Sequence, residues 1–234
     1  SASGWYVSIQ TEKNVPDIVN PSNKVVGIDV GVKKFAALSD GKTYEPVNSL
    51  KKLEKQLTKA QRGLSRKKKG SCNRKKQIKK VAVLHEKIAN TRKDYLHKAS
   101  TEISKNHAVV VLEDLKVSNM SRSAKGTEKN PGKNVKAKAG LNKSILDQGW
   151  GMFRNMLEYK LNYSGGKLIL VDPKYTSQTC SNCGHVSKDN RKTQSNFQCT
   201  VCGHGLNADI NAAKNILAVG LTVSACGAAT LVAQ

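Results

Sequence analysis

The chain has 234 residues, which is enough for one sizeable core and a small satellite module. Forty Lys and Arg residues against seventeen Asp and Glu residues give a net charge of +23. This charge indicates a polyanionic partner, most often nucleic acid, and the alternative is a solvated basic surface of the ribosomal-protein kind. No segment has the roughly 18 apolar residues that span a bilayer, and the start SASGWYVSIQ lacks a signal-peptide pattern. We therefore expect a cytoplasmic protein with no membrane partner.

The first predicted elements are strands. WYVSIQ, within residues 1–23, has strand character but no hairpin partner in the sequence. Val25 to Ile28 predict a buried strand that ends near Asp29. Phe35 to Leu38 predict a second strand, and a tight turn at Asp40-Gly41 leads into a third. Three adjacent antiparallel strands with a carboxylate at the end of the first are typical of the opening of an RNase H-like fold.

Residues 50–105 predict a pair of basic helices. Residues 51–105 contain nineteen Lys or Arg against four Asp or Glu. A leucine stripe at 50, 53, 57 and 64 marks one helix, and Gly70-Ser71 breaks it. A second stripe predicts the partner helix through Ile78, Val81, Ile88, Tyr95 and Ala99. A coiled-coil arm with solvated lysines is one interpretation. We favour a phosphate-binding surface because its cations cluster at Lys67, Lys68, Lys69, Arg74, Lys75 and Lys76.

The central region predicts a buried strand, a loop, a helix and another strand. The apolar strand His107–Leu115 contains Glu113 and Asp114, which must point to opposite faces. Residues 118–140 are polar and basic and predict a mobile loop. Helical spacing resumes from 144 to 163, with Ile145, Phe153, Met156, Leu157 and Leu161 inward, and KLILV predicts a further strand.

Two C-x-x-C pairs predict a zinc ribbon over residues 178–204. The pairs read CSNCGH and CTVCGH, and their cysteines are Cys180, Cys183, Cys199 and Cys202. Four thiolates at this spacing form a closed tetrahedral zinc site, and the glycines permit the tight knuckle turns. Two disulfides fit neither the spacing nor the missing signal peptide. The zinc is therefore structural, and His185 and His204 lie outside the ligand set.

Three carboxylates form the candidate catalytic set. Asp29 ends the first strand, Glu113 ends the fourth, and Asp209 lies in the first turn of a helix that Asn207 caps. Each acid alone has a structural explanation, such as interaction with the helix dipole for Asp209. In an RNase H-like fold the three converge, however, and carboxylates without histidine are ligands for Mg²⁺ or Mn²⁺.

Read in order, GIDVGVKKFAALSDG, VVVLEDL and the block from VDPKYTSQTCSNCGH to NADINAAKNI resemble the nuclease half of the TnpB family. TnpB proteins are transposon-encoded, RNA-guided DNA endonucleases related to type V CRISPR effectors. The resemblance implies an α/β fold with a RuvC-like mixed sheet, a helical insertion and an inserted four-cysteine zinc ribbon. It also implies a DNA target, a guide RNA, and catalysis by Asp29, Glu113 and Asp209.

The same resemblance implies a domain layout. We expect residues 1–23 to be a remnant of the family's amino-terminal wedge region and 24–177 to be the nuclease domain with the basic helical pair 50–105 inserted. Residues 178–204 would be the target-nucleic-acid-binding ribbon, 205–220 the closing helix, and 221–234 a loosely packed tail. The competing hypothesis is a non-catalytic or truncated zinc-ribbon protein that binds nucleic acid as a regulator or accessory subunit. The presence of all three acids favours the enzyme.

Overall fold

A computed structural model describes residues 4–12 and 20–232 of the chain, with side chains as far as residue 222. Its centre is a five-stranded mixed sheet in the order β3-β2-β1-β4-β5. The strands are β1 Val25–Val30, β2 Ala36–Leu38, β3 Thr43–Tyr44, β4 Val109–Glu113 and β5 Lys167–Val171. β1, β2 and β3 pair antiparallel, whereas β4 joins β1 and β5 joins β4 in parallel. This arrangement confirms the predicted RNase H-like fold.

Helices cover both faces of the sheet. They are α1 Ser49–Ser65, α2 Cys72–Asn106, α3 Val117–Met120, α4 Val135–Gln148, α5 Trp150–Tyr163 and α6 Ala208–Val232. Side chains alternate along each strand, so Val26 and Ile28 enter the core with α2 and α5. Val111 of β4 enters a second cluster with Ile216 of α6. At Gly27, a Cβ atom would lie 2.2 Å from the carbonyl oxygen of Ala213, so glycine is what lets α6 approach the sheet.

The predicted pair of basic helices is present as α1 and α2. Gly70 has a φ of 81° in the link, and the Ser71 hydroxyl accepts a hydrogen bond from the Arg74 amide as the N-cap of α2. Leu57 is buried between the helices, as expected. Ile78 was assigned to the inner stripe wrongly, because 47% of its surface is exposed. Gln77 faces α1 instead and donates a hydrogen bond to the carbonyl of Ala60.

A small module follows β5. It contains a 3₁₀ helix, Lys188–Asn190, and a two-stranded antiparallel sheet of β6 Asn196–Gln198 and β7 Gly205–Asn207. Phe197 is fully buried there against Cys180, Cys199 and Ala208. One phenylalanine, two thiols and an alanine are a small core, so the fold of this module depends on additional cross-links.

Several predicted boundaries were wrong. Residues 4–12 form no strand, because no neighbouring strand in the described part pairs with them, and Trp5 and Val7 are exposed. Residues 1–3 and 13–19 of the predicted remnant lie outside the described residues. α4 begins at 135, inside the predicted loop, and Gly149, with a φ of 72°, separates it from α5. α6 continues past the predicted end at 220 to Val232, where we expected a loose tail. Within the described residues, no helix is long and apolar enough to cross a membrane.

Candidate functional site

The sheet places Asp29 beside Glu113. Ile28 of β1 is in register with Leu112 of β4, so the next residues of the two parallel strands are neighbours. By strand alternation both carboxylates project from the face that α6 covers. The third candidate acid lies in the first turn of α6. There the Asn207 side chain accepts hydrogen bonds from the amides of Asp209 at 3.0 Å and Ile210 at 3.3 Å, which confirms Asn207 as the cap.

The charges of the other two acids act on Asp29. Burial raises the pKa of Asp29 to about 8, and the negative charges of Glu113 and Asp209 add to the rise. Burial also raises the pKa of Glu113, against the effect of a hydrogen bond from Thr176. Among the described residues, the only compact group of potential metal ligands is made of cysteines. Glu113 and Asp209 are thus close enough to Asp29 to raise its pKa, but the three acids do not form a tight cluster.

Thr176 holds Glu113 in place, and the sequence had given no sign of it. Its hydroxyl donates a hydrogen bond of 2.7 Å to Oε1 of Glu113, and the residue is 5% exposed. The backbone carbonyl of Thr176 accepts a hydrogen bond of 2.8 Å from Asn215 of α6. One residue therefore links Glu113 to the helix that carries Asp209.

The four cysteines are arranged as a metal-binding site. Their sulfur atoms all lie within 4.8 Å of one another. The Sγ atoms of Cys180 and Cys202 are 3.7 Å apart, and those of Cys183 and Cys199 are 3.6 Å apart. A tetrahedral zinc with bonds of about 2.3 Å requires sulfur–sulfur separations of about 3.8 Å. A disulfide requires about 2.05 Å. The set therefore fits a metal such as zinc, as the spacing predicted.

Each knuckle is closed by its own backbone. Gly184 and Gly203 adopt φ values of 75° and 70° and donate to the carbonyls of Cys180 and Cys199. The carbonyls of His185 and His204 accept hydrogen bonds from the amides of Cys180 and Cys199, each at 2.9 Å. The two histidines therefore contribute main-chain contacts to the knuckles and lie outside the sulfur cluster, as predicted.

Comparisons with known proteins agree with this arrangement. A family model described as a probable transposase, OrfB of IS605, matches residues 8–124. A model for the Cas12f1-like TNB domain matches residues 150–216. The chain belongs to the TnpB family.

Individual relatives support the assignment. The chain is 57% identical, over 97% of its length, to InsQ of Escherichia coli (strain K12), which is named as a candidate RNA-guided DNA endonuclease. It is 30% identical, over 91% of its length, to the CRISPR-associated endodeoxyribonuclease Cas12f1 of Sulfoacidibacillus thermotolerans. These matches cover 56% and 49% of the two relatives, so the chain spans about half their length. A solved Cas12f1–sgRNA–target DNA complex is also similar. The match covers 88% of this chain and 51% of the Cas12f1 chain, at 25% identity and a TM-score of 0.54.

Arg191 is a further residue that the sequence analysis of this TnpB-family chain missed. It lies just after the 3₁₀ helix of the ribbon, and its guanidinium is 3.5 Å from Oδ1 of Asp209. It also donates to the carbonyl of Gln194 at 2.8 Å, and its charge lowers the pKa of Asp29. Arg191 therefore brings a cation from the ribbon to the carboxylates. In the sequence it is one of forty basic residues, so nothing distinguished it.

Asp114 points away from the candidate site, as strand alternation predicted. Its carboxylate accepts a hydrogen bond of 2.7 Å from Arg154 of α5, on the face opposite to α6. The neighbouring acids at the end of β4 therefore have different partners. Glu113 contacts the ribbon junction, and Asp114 contacts α5.

The candidate nucleic-acid-binding cations lie at the tip of the α1–α2 arm. Lys67, Lys68, Lys69, Lys75 and Lys76 are exposed. Arg74 is different, because its guanidinium donates to the carbonyls of Leu64 and Lys67 and so closes the end of α1. Leu96, where α2 enters the core, is 22 residues beyond Arg74, or about 33 Å along the helix. The tip and the carboxylates are therefore separate surfaces.

Proposed function

We propose that the chain is the nuclease half of a TnpB-type, RNA-guided DNA endonuclease that hydrolyses phosphodiester bonds at Asp29, Glu113 and Asp209. The observation that carries this proposal is the convergence of three acids from β1, β4 and α6 on one face of an RNase H-like sheet. Relatives with endonuclease names and the solved complex with guide and target support the substrate and the RNA partner.

The donor set fits hard divalent cations. Three carboxylates without a histidine are oxygen ligands that suit Mg²⁺ or Mn²⁺. Burial and the charges of Glu113 and Asp209 raise the pKa of Asp29 even though Arg191 lowers it, so a divalent cation would be favoured among these acids. When bound, such ions supply an activated water and charge stabilisation for the leaving 3′ oxygen. The chain itself contributes alignment: Thr176 orients Glu113, Asn207 fixes the first turn around Asp209, and Arg191 restrains the Asp209 carboxylate.

We infer that zinc occupies the four-cysteine centre and has a structural role. All four positions of a tetrahedral ion are filled by Cys180, Cys183, Cys199 and Cys202, which leaves no position for substrate. The ion would supply folding free energy to a module with very little core of its own. The lysines at the tip of the arm would bind nucleic-acid phosphates. We further propose that the protein acts in the cytoplasm.

The proposed domain organisation keeps the sequence-based layout with one change. The nuclease domain is assigned to 24–177 with the arm 50–105, and the ribbon to 178–204. The closing helix is extended beyond 220, because α6 continues to Val232.

A cleavage assay tests the function and separates it from the competing hypothesis of a non-catalytic binding protein. End-labelled single-stranded DNA is incubated with the purified chain in Mg²⁺, in Mn²⁺ and in EDTA. We expect cutting only with metal, and none after Asp29→Ala, Glu113→Ala or Asp209→Ala. Asp114→Ala is the matched control, because it removes a neighbouring acid that points to α5. Binding without cutting under every condition would favour the accessory protein.

A further inference from the structure

Tyr175 has an unusual backbone conformation for its residue type. Three non-glycine residues among those described have positive φ, namely Asn48 at 48°, Asn134 at 55° and Tyr175 at 65°. Asparagine tolerates this left-handed region, whereas a bulky aromatic residue there is an outlier that costs free energy. Such outliers concentrate at functional sites, where the surrounding structure holds them in place.

The turn over residues 175–179 explains the backbone conformation of Tyr175, but it does not explain why the side chain is aromatic. The carbonyl of Tyr175 accepts three hydrogen bonds, from the amides of Gln178 at 2.9 Å and Thr179 at 3.0 Å and from the Thr179 hydroxyl at 2.8 Å. Any residue can supply that carbonyl, and glycine or asparagine would supply it with less strain. The phenol ring adds little packing, because 64% of the residue is exposed. The presence of an aromatic ring here therefore requires a reason other than the fold.

Tyr175 precedes a residue that contacts one of the candidate catalytic acids. The following residue, Thr176, donates its hydroxyl to Glu113 at 2.7 Å. Covalent geometry then places the Cα atom of Tyr175 within about 9 Å of the Glu113 carboxylate. The preceding residue, Lys174, has a side chain that is 78% exposed, and its ammonium lies 3.4 Å from the exposed carboxylate of Asp172. An exposed aromatic ring beside an exposed ammonium is the combination that binds unpaired nucleotides, through base stacking and phosphate contact.

We propose that Tyr175 is a stacking platform for a nucleobase of the strand that is cut. This proposal rests on the proposed function, because it assigns the ring to the substrate of the same site. Because the Cα atom of Tyr175 lies within about 9 Å of the Glu113 carboxylate and the side chain extends further, the base in question lies within a few nucleotides of the scissile phosphate. The base must be unpaired, because the faces of bases in a duplex are already covered. Stacking accepts any base, since every base has an aromatic face.

The first experiment compares Tyr175→Phe and Tyr175→Asn with Tyr163→Asn. Tyr163 is the matched control because it is also 64% exposed, and it ends α5 just before β5 begins, at the opposite end of the parallel strands from Glu113. We expect Tyr175→Asn to lower kcat/KM on single-stranded DNA by at least about fivefold, the lower end of measured stacking effects. Tyr175→Phe and Tyr163→Asn should stay close to native. The melting temperature of Tyr175→Asn should hold or rise, since the substitution relieves strain.

The second experiment identifies the base. Oligonucleotides carry one abasic site at successive positions around the cut, and each is tested with the native chain and with Tyr175→Asn. At one position, removal of the base should lower kcat/KM for the native chain but not for Tyr175→Asn. Either change removes the same stacking interaction, so the second change has no further effect. The proposal is wrong if the losses in kcat/KM from the missing base and from Tyr175→Asn multiply at every position. It is also wrong if the variant cuts as well as the native chain.

A failure of the proposed function gives a different result. If the native chain does not cut DNA at all, the same oligonucleotides are compared by fluorescence anisotropy in EDTA. A position-specific loss of affinity that vanishes in Tyr175→Asn would still support the stacking platform. Equal affinities across the abasic series would overturn it, independently of whether the chain is a nuclease.

Discussion

The charge on Asp29 should destabilise the protein when no cation is bound. Its pKa is raised from 3.8 to about 8, chiefly by burial and then by Glu113 and Asp209. A carboxyl group with a raised folded-state pKa is neutral in both states below pH 3.8, so it carries no penalty there. The penalty grows as the pH rises from 3.8 towards 8, because the unfolded chain ionises first. Asp29→Asn, which resembles the protonated acid in shape, should remove this penalty.

The magnitude follows from the same shift. Between the unfolded pKa of 3.8 and pH 7 lie about three pH units, each equivalent to about 1.4 kcal/mol. The upper limit of the gain at pH 7 is therefore about 4 kcal/mol, and relaxation of neighbouring groups reduces it. For a chain of this size, each kcal/mol corresponds to roughly 2–4 °C in Tm. We expect the metal-free variant to melt several degrees above native at pH 7, with the difference vanishing near pH 4.

Differential scanning calorimetry in EDTA at pH 4, 5.5, 7 and 8 measures this difference. Asp94→Asn is the control, because Asp94 is an exposed acid of α2 paired with Lys98. Mg²⁺ should raise the Tm of native protein, since it binds the folded state, and should raise that of Asp29→Asn much less. An unchanged or lower Tm for the variant at pH 8 would refute the view that the buried charge of Asp29, beside Glu113 and Asp209, destabilises the metal-free fold. The more stable variant should not cut DNA, so stability and activity change in opposite directions.

Three further predictions concern the supporting contacts. Thr176→Val removes the hydrogen bond to Glu113. It should lower kcat by at least tenfold and raise the Mg²⁺ concentration needed for half-maximal cutting. Thr176→Ser, which keeps the hydroxyl, should have native values of both. Cys183→Ser should release about one equivalent of zinc, measured by metal analysis, and increase hydrogen exchange over 178–204; a ribbon that stays protected without metal would contradict this. Charge reversal at Lys67 to Lys69 should weaken binding to all sequences alike and flatten the dependence of log K on log salt, and an unchanged slope would indicate a purely structural arm.

The parts of the fold that the sequence predicted are those set by local periodicity. The strand around Ile28, the strand KLILV and the two C-x-x-C knuckles each depend on spacing within a few residues. The basic helices were found for the same reason. The stripe of the second helix was predicted correctly at Ile88 and Ala99 but not at Ile78, because Gln77 takes the position that faces α1. The early start of α4 depends on Asn134 in a left-handed conformation, which the sequence does not reveal.

The supporting residues of the site could not be predicted in this way, because their roles depend on docking between distant segments. Thr176 and Arg191 are ordinary polar residues until the ribbon folds back onto the sheet and brings them to Glu113 and Asp209. Asn211 is a comparable case. A buried asparagine inside a helix is locally unfavourable, and only the ribbon supplies the partners for its side chain.

These contacts indicate how a metal in the ribbon would affect the proposed catalytic acids. Asn211 accepts a hydrogen bond from the amide of Ser181, inside the first knuckle, and donates to the carbonyl of Thr179. Asn215 donates to the carbonyls of Thr176 and Thr179. Both asparagines are buried on α6, about one and two helical turns after Asn207. If the knuckle opens, these side chains lose their partners in a buried setting, which costs about 1–3 kcal/mol for each unsatisfied group.

Loss of the metal should therefore extend beyond the ribbon itself. α6 carries Asp209, and Thr176 carries the hydroxyl that orients Glu113. Gly27 still fixes the helix against β1, so the sheet and Asp29 should remain in place while the other two acids lose their alignment. A chain stripped of zinc should thus keep its far-ultraviolet circular dichroism and its binding to nucleic acid through the arm, yet lose the Mg²⁺-dependent rise in Tm. If Mg²⁺ stabilised the zinc-free chain as strongly as the native one, alignment of the acids would be independent of the ribbon.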